Sequence, residues 1–197
     1  EPEQEPEQEP EQEPEQEPEA EPESEPYWSQ LGNDIDGDNN YNYLGHSVAM
    51  NSTGTRIAIG ATGGGNTGDG YSLANKGHVR VYDYSNGSWS QVGSDIDGEN
   101  NGDTLGYSVA MSSDGSRIAI GATQNDGNGT DSGHVRVYDY INGSWTKVGS
   151  DIYGEATNDQ SGYSVAMNSS GNRIAIGAPY NDGNGDNSGH VRVYDYS

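Results

Sequence analysis

A three-part sequence motif occurs three times in this chain. Its pieces read SVAM, RIAIGA and GHVRVYDY, and the copies start at Ser47, Ser108 and Ser164. A period of about 60 residues indicates a repeat architecture, in which each unit buries its apolar face against a neighbour because it cannot bury that face alone. The chain is therefore expected to stack three units, and what covers the first and the last of them bears on its function.

Each unit contains four segments with the alternation of β-strands. Apolar residues recur at every second position, and β-branched and aromatic residues dominate. In the second unit we expect strands at Tyr107–Ser112, Arg117–Ala122, His134–Tyr140 and Ser144–Ser150. Asn86-Gly87 and Asn142-Gly143 precede the fourth strands and predict type I′ hairpins, which need positive φ at both positions. The sequence therefore predicts an all-β chain of three four-stranded antiparallel repeats.

Further motifs point to a family. Leu105-Gly106 and Ser161-Gly162 precede the first strands, and Gly177-Ala178-Pro179 ends the second strand of the last unit. Together with RIAIGA and GHVRVYDY, these motifs resemble the FG-GAP repeat, the blade unit of integrin-α-type β-propellers, over Trp28–Ser197. The resemblance implies propeller-type blades and no particular activity. A β-trefoil and a β-prism are the alternative arrangements of the same twelve strands.

The chain departs from the family pattern in two respects. Members often insert a calcium loop, D-x-D-x-D-G-x-x-D, between the first two strands, whereas the links here are the short segments 51–55, 112–116 and 168–172. Propellers also have four to eight blades, and three blades do not close a ring. We therefore expect these blades to lack the family's calcium loop. We also expect the outermost blades to be covered by something other than the three blades of one chain.

The order of the strand-like segments along the chain predicts how the last blade gains its fourth strand. Residues 28–35 match the fourth strands at 89–96 and 145–152, but they follow a low-complexity tail, and the last unit shows only three strands. We predict that this N-terminal strand completes the last blade of another copy, head to tail. Its assembly residues are Tyr27, Trp28, Leu31 and Ile35. Ring closure within one molecule and truncation of a longer propeller are the alternatives.

The first 26 residues are built from EPEQ-type tetrapeptides. They carry no large apolar side chain, so an extended polyproline-like linker is expected. The expected domains are this acidic tail, residues 1–26, and a β-repeat domain, residues 27–197, with repeats near 27–84, 85–140 and 141–197.

The composition of the chain bears on its partners. The formal net charge is −24, which disfavours nucleic acid and anionic membrane surfaces. The longest apolar runs are too short to span a bilayer, so no membrane insertion is expected.

Several recurring polar residues are candidate sites or supports. Asp34, Asp36 and Asp38 have calcium-like spacing, and Asp126 and Asp131 lie in a Gly-rich loop, although solvated turns explain both sets more simply. Equivalent arginines, histidines and tryptophans also recur in each unit. The arginines are expected to pair with Asp83, Asp139 and Asp195 and to stack on tyrosines, the histidines to pack at strand starts, and the tryptophans to anchor neighbouring blades. These three sets are Arg80, Arg136 and Arg192; His78, His134 and His190; and Trp28, Trp89 and Trp145.

Five N-x-S/T sequons are candidate glycosylation sites. They are Asn51, Asn86, Asn128, Asn142 and Asn168. The chain has no cysteine and no G-x-S-x-G nucleophile elbow, and none of its many acids stands in an apolar setting that would raise its pKa, so no enzyme activity and no cofactor are expected.

We therefore predict a structural subunit of an extracellular filament or surface appendage. Its main partners would be other copies of itself. The alternative is an adhesion or binding module at the cell surface that recognises protein or carbohydrate.

Overall fold

A computed structural model of the chain describes residues 27–63 and 76–197. The chain divides into two units, residues 1–30 and residues 31–197, and the strands that the structure describes lie in the second unit. The predicted tail, residues 1–26, lies outside the described residues. Within the described residues the secondary structure is entirely β, and no helix is long and apolar enough to span a membrane.

Twelve strands are observed in the described residues, and they form three repeats. The first repeat contains β1 (Leu44–Met50), β2 (Arg56–Ala61), β3 (His78–Ser85), β4 (Ser88–Gln91) and β5 (Ile96–Asp97). The second contains β6 (Leu105–Met111), β7 (Arg117–Ala122), β8 (His134–Ile141) and β9 (Ser144–Tyr153). The third contains β10 (Ser164–Met167), β11 (Arg173–Ala178) and β12 (His190–Asp195).

Each repeat forms its own antiparallel sheet with the strands in sequence order. In the first sheet β4 and β5 both pair with β3, whereas in the second sheet one long strand, β9, takes both places along β8. The Asn-Gly hairpins have positive φ at both residues, with 50° and 85° at Asn86-Gly87. The all-β prediction and the predicted hairpins are thus confirmed. In the third sheet the described residues supply three strands.

The sheets bury their apolar residues pairwise, in two separate clusters. The alternation of each strand gives every sheet two apolar faces. We call the face towards the preceding sheet the leading face; in the second sheet it carries Val109, Met111, Ile118 and Ile120. We call the opposite face the trailing face; in the second sheet it carries Ala119, Val135 and Val137. Because each cluster joins one trailing face to the next leading face, the arrangement is that of propeller blades rather than of a β-trefoil or β-prism.

Neighbouring sheets approach closely at the glycines of the first two RIAIGA segments, Gly60 and Gly121. A Cβ at Gly121 would overlap the carbonyl oxygen of Gly162 in the next sheet. The Ser108 hydroxyl donates to that same oxygen at 2.7 Å, and Ser47 donates likewise to Gly106. The glycine therefore provides the space in which the next blade docks.

Substituting this glycine tests the close approach. Gly121→Ala is expected to lower the free energy of unfolding by about 1–3 kcal/mol, because the methyl group meets backbone that has little room to move. Gly177→Ala is the matched control, because an added Cβ there meets only the rotatable Ser164 side chain. Urea unfolding in dilute solution gives both values. Equal losses for the two variants would contradict the packing described here.

The N-terminal segment differs from the other fourth strands. Residues 27–43 contain no strand, although residues 28–35 repeat the sequence of β4–β5 and β9. The difference has a physical reason, since a strand needs a partner edge, and the described residues place no free strand edge beside this segment.

Candidate assembly site

An arginine at the first residue of the second strand joins the first sheet to the second and the second sheet to the third. Arg117 binds Asp139 of its own sheet through Nε and Nη2, at 2.6 and 2.8 Å. Its Nη1 donates to the Gly171 carbonyl of the next sheet at 3.1 Å, and its guanidinium lies 4.6 Å from the Tyr196 ring centre. The same contacts are made one repeat earlier by Arg56, Asp83, Gly115 and Tyr140. Each junction therefore combines an ion pair, a hydrogen bond and a cation–π contact.

A second arginine, on the third strand, corrects one prediction. Arg80 and Arg136 do not pair with Asp83 and Asp139, which bind Arg56 and Arg117 instead. Alternation explains the difference, because the expected partners lie three residues further along the same strand and so face the opposite side of the sheet. Arg80, Arg136 and Arg192 bind the carboxylates Asp38, Glu99 and Glu155 that follow the preceding fourth strand.

Two of these arginines also bind a carboxylate on the fourth strand of their own sheet. Arg136 donates to Asp151 at 2.6 Å, and Arg80 contacts Asp95 at 2.9 Å. Burial raises the pKa of Asp151, but the hydrogen bonds from Arg136 and Lys147 outweigh burial, and that pKa lies below its usual range. The ion pair therefore locks the fourth strand onto the third.

Two of the three predicted anchors, Trp89 and Trp145, contact both their own sheet and the segment that precedes it. Trp145 Nε1 donates to the Val92 carbonyl of the first sheet at 3.0 Å, and its ring lies 5.1 Å from Tyr140 of its own sheet. Trp89 donates in the same way to the Leu31 carbonyl at 2.9 Å. Leu31 thus takes the position of Val92, and residues from 31 onward stand before the first sheet as a fourth strand stands before the next sheet.

The trailing face of the third sheet is uncovered. Val191 and Val193 are 68% and 61% exposed, whereas the equivalent Val79 and Val81 of the first sheet are 0% and 1% exposed. The local sequence, HVRVYD, is the same in both strands, so the difference arises because no described segment packs on this face of the third sheet. Two adjacent exposed valines on a sheet face form an apolar surface of the kind that marks an interface.

The leading face of the first sheet is uncovered in the same way. Val48 is 68% exposed and Met50 is also exposed, whereas the equivalent Val109 of the second sheet is buried against its neighbour. The third sheet therefore exposes a trailing face, and the first sheet exposes a leading face. Faces of these two types pack together at both junctions inside the chain.

Strand β12 is also more exposed than the equivalent strands of the first two sheets. Arg173 keeps its ion pair with Asp195, but both side chains are mostly exposed, unlike Arg117 and Asp139. Arg192 retains the preceding carboxylate Glu155 and donates to the Tyr153 carbonyl. The described residues place no fourth strand along β12.

The predicted assembly residues lie at the N-terminal end of the described chain. Tyr27, Trp28 and Leu31 are exposed, with Trp28 fully so, and Ile35 is half-buried. The structure therefore leaves exposed most of the residues that the repeat phase selects for assembly.

The calcium candidates do not converge in the described residues. Asp38 binds Arg80, and its pKa is lowered chiefly by that hydrogen bond. Asp126 accepts the backbone N–H of Asp131 at 2.9 Å within its loop, while Asp34 and Asp36 lie in the exposed N-terminal segment. Among residues 27–63 and 76–197, no group of three or more His, Asp or Glu side chains has a metal-binding arrangement. The calcium candidates therefore gain no support from this geometry.

The five sequons occupy different environments. Asn86 and Asn142 are exposed at the tips of the hairpins before the fourth strands. Asn51 is buried, and its side chain accepts the Thr55 and Arg56 amides. Asn128 and Asn168 are exposed, but their amide groups donate within the protein, Asn128 to the Gly154 carbonyl and Asn168 to Asn172. The two hairpin tips are thus the sequons most open to modification, and they are equivalent positions in two repeats.

The recurring histidines begin the third strands. His134 is buried, its ring lies 5.9 Å from the Tyr153 ring, and neither ring nitrogen has a hydrogen-bond partner. Burial and then the charge of Arg136 lower its pKa to about 4, against the opposing effects of Asp151, Asp103 and Glu99. His134 is therefore a neutral packing residue at neutral pH.

Acidification tests this assignment. Below the ordinary pKa of histidine, His134 binds a proton in the unfolded chain but not in the folded chain. The free energy of unfolding therefore falls as the pH drops towards 4. Between pH of about 7.5 and 5 we expect His134 by itself to lower the unfolding free energy by about 2 kcal/mol, measured by urea titration of the wild type and of His134→Asn. In His134→Asn most of this loss should disappear, and an unchanged pH dependence in the variant would contradict the assignment.

Comparison with known families identifies the repeat. The model of the FG-GAP repeat family matches residues 94–138 and 153–194, which hold the second and third copies of the motif. The chain carries FG-GAP repeats. The blade-like sheets agree with this assignment, and the short first links set these FG-GAP repeats apart from members with a calcium loop. No curated protein matched the chain.

Two solved structures are similar to it at low identity. Hydrazine synthase from Kuenenia stuttgartiensis is 12% identical over 76% of this chain and 44% of its own, with a TM-score of 0.48. A "putative 6-phosphogluconolactonase" from Bacteroides uniformis is 13% identical over 78% and 41%, with a TM-score of 0.41. This chain spans less than half the length of either protein, and no activity or partner is inferred from them.

Proposed function

We propose that this protein is a structural subunit that assembles head to tail into an extracellular filament. The trailing face of the third sheet in one copy packs on the leading face of the first sheet in the next. The N-terminal segment of that next copy adds the fourth strand to β12. The contact is heterologous, and such contacts propagate into fibres wherever the rotation between copies does not close a ring.

The observation that carries the proposal is the match between the two uncovered faces. Val191 and Val193 on one side, and Val48 and Met50 on the other, repeat residues that bury one another at both internal junctions. A second copy would therefore meet a surface whose complement is already specified by the chain itself. The junction would bury four large apolar side chains and remove an unpaired strand edge.

The polar contacts of the internal junctions extend to the same interface. By repeat equivalence, Arg173 of one copy faces the Gly54 carbonyl and the Tyr84 ring of the next, as Arg117 faces Gly171 and Tyr196. Arg173 is exposed in the single chain. Assembly would thus give it the hydrogen bond and the cation–π contact that the two internal arginines have.

The proposed role is non-enzymatic and extracellular. The sharpest features of the described residues are apolar faces and a strand edge, which suit assembly rather than a reaction. The exposed equivalent sequons Asn86 and Asn142 support a secreted location, because glycans there would project from the hairpin tips without entering either face. Surface labelling of intact source cells tests the location.

Charged substitutions on the two faces test the assembly. Val193→Asp leaves only the leading face competent, and Val48→Asp leaves only the trailing face competent, because a buried unpaired carboxylate is strongly disfavoured. Each variant alone is expected to remain monomeric in sedimentation velocity. An equimolar mixture is expected to give dimers and no larger species, since each dimer has one blocked face at either end.

A control variant and two possible results for the wild type complete this test. Ile141→Asp changes an exposed residue on a hairpin, outside both faces, and should leave the fibres seen by negative-stain electron microscopy unchanged. Wild-type particles of two copies, closed as a six-bladed ring, would contradict the filament. Wild-type monomers at every concentration would contradict assembly altogether and favour a binding module.

A further inference from the structure

A groove lies between the second and third sheets, beside strands β9 and β12. Its volume is about 170 Å³, and it lies within the unit of residues 31–197. One wall is formed by Val148 and Gly149 of the second sheet, and the other by Tyr194 and Tyr196 of the third. The exposed lining is largely apolar, and Arg117, Asn172 and Asp195 also border the groove.

An indole ring covers the equivalent glycine at each earlier position of the repeat. Trp145 covers Gly93 so closely that a Cβ there would lie 2.9 Å from the ring, and Trp89 covers Gly32 at 3.1 Å. At Gly149, the next glycine in this series, an added Cβ meets nothing within 4 Å. The groove is therefore a tryptophan site without its tryptophan.

We propose that this groove is the socket for the Trp28 side chain of a second copy of the chain. The inference rests on the proposed head-to-tail assembly and names the residue that anchors it. Trp28 stands in the sequence where Trp89 and Trp145 stand, and it is fully exposed in the single chain. Its aromatic surface is large enough to make it the main anchor of the donated strand.

The internal strand pairs fix the geometry of the docked ring. Trp89 lies opposite Tyr84, and Trp145 opposite Tyr140, so Trp28 lies opposite Tyr196. In that register the indole stacks beside Tyr196, and its Nε1–H donates to the Val148 carbonyl, as Trp145 donates to Val92. Every polar and apolar part of the indole then has the partner that it has in the two internal copies.

Peptide binding tests the socket separately from fibre formation. The receptor is the full chain with Val48→Asp, which is expected not to polymerise but keeps the third sheet intact. The probe is a fluorescent peptide with the sequence of residues 27–38, followed by anisotropy. Saturable binding is expected, and the Trp28→Ala peptide should bind at least about tenfold more weakly, because it loses the buried aromatic anchor.

Two receptor variants are compared, one that fills the groove and one that leaves it open. Gly149 has φ of +70°, a conformation that asparagine tolerates, so Gly149→Asn should fill the groove without unfolding the chain. It is expected to weaken peptide binding at least about tenfold. Gly143→Asn is the control, because Gly143 also has positive φ and an added Cβ there meets nothing within 4 Å.

The possible results separate the two proposals. Equal binding of the Trp28→Ala peptide, or unchanged binding to Gly149→Asn, would overturn the socket even if wild-type fibres form. Fibres without any binding of the peptide would overturn it as well. Binding that depends on Trp28, in a wild-type chain that forms no fibres, would support the socket and contradict the filament.

Discussion

The structure depends on the burial of sheet faces between consecutive repeats. Each sheet is apolar on both sides, so the second repeat is stable in its position because it has neighbours on both faces. The first and third repeats each have one neighbour, and their outer faces keep Val48, Met50, Val191 and Val193 exposed. Burying an apolar side chain of this size contributes about 1.5–3 kcal/mol, so the two exposed faces are a strong drive to association.

Polar contacts make this burial specific. Apolar faces alone would tolerate sliding by two residues, because every strand repeats its pattern at that interval. The arginine at each junction prevents sliding, since it must meet one carboxylate, one glycine carbonyl and one tyrosine ring together. The indole hydrogen bonds of Trp89 and Trp145, at 2.9 and 3.0 Å, also fix the position of each fourth strand against the preceding segment. A copy that docks on the third sheet would meet the same two constraints.

Much of this fold is predictable from the sequence, and the limits have physical reasons. Alternation and the Asn-Gly turns predict the strands of the second repeat within two or three residues, because both are local signals. The predicted partner of Arg136 is wrong, since sequence proximity favours Asp139 while the faces of the strand require Asp151. The empty groove beside Gly149 has a sequence signal in the repeat, Trp-x-x-x-Gly, but its meaning depends on which sheet each tryptophan covers.

Cross-linking between two different copies tests the central claim most directly, because the chain has no cysteine of its own. Asp83 pairs with Ser90 and Asp139 with Thr146, so strand donation places Ser29 of one copy opposite Asp195 of the next. A mixture of Ser29→Cys and Asp195→Cys chains should form a disulfide-linked heterodimer on mild oxidation, because directly paired residues on neighbouring strands lie within disulfide reach. The pair Ser29→Cys and Ser197→Cys, displaced by two residues, should react far less. Equal cross-linking of both pairs, or none of either, would contradict strand donation between copies.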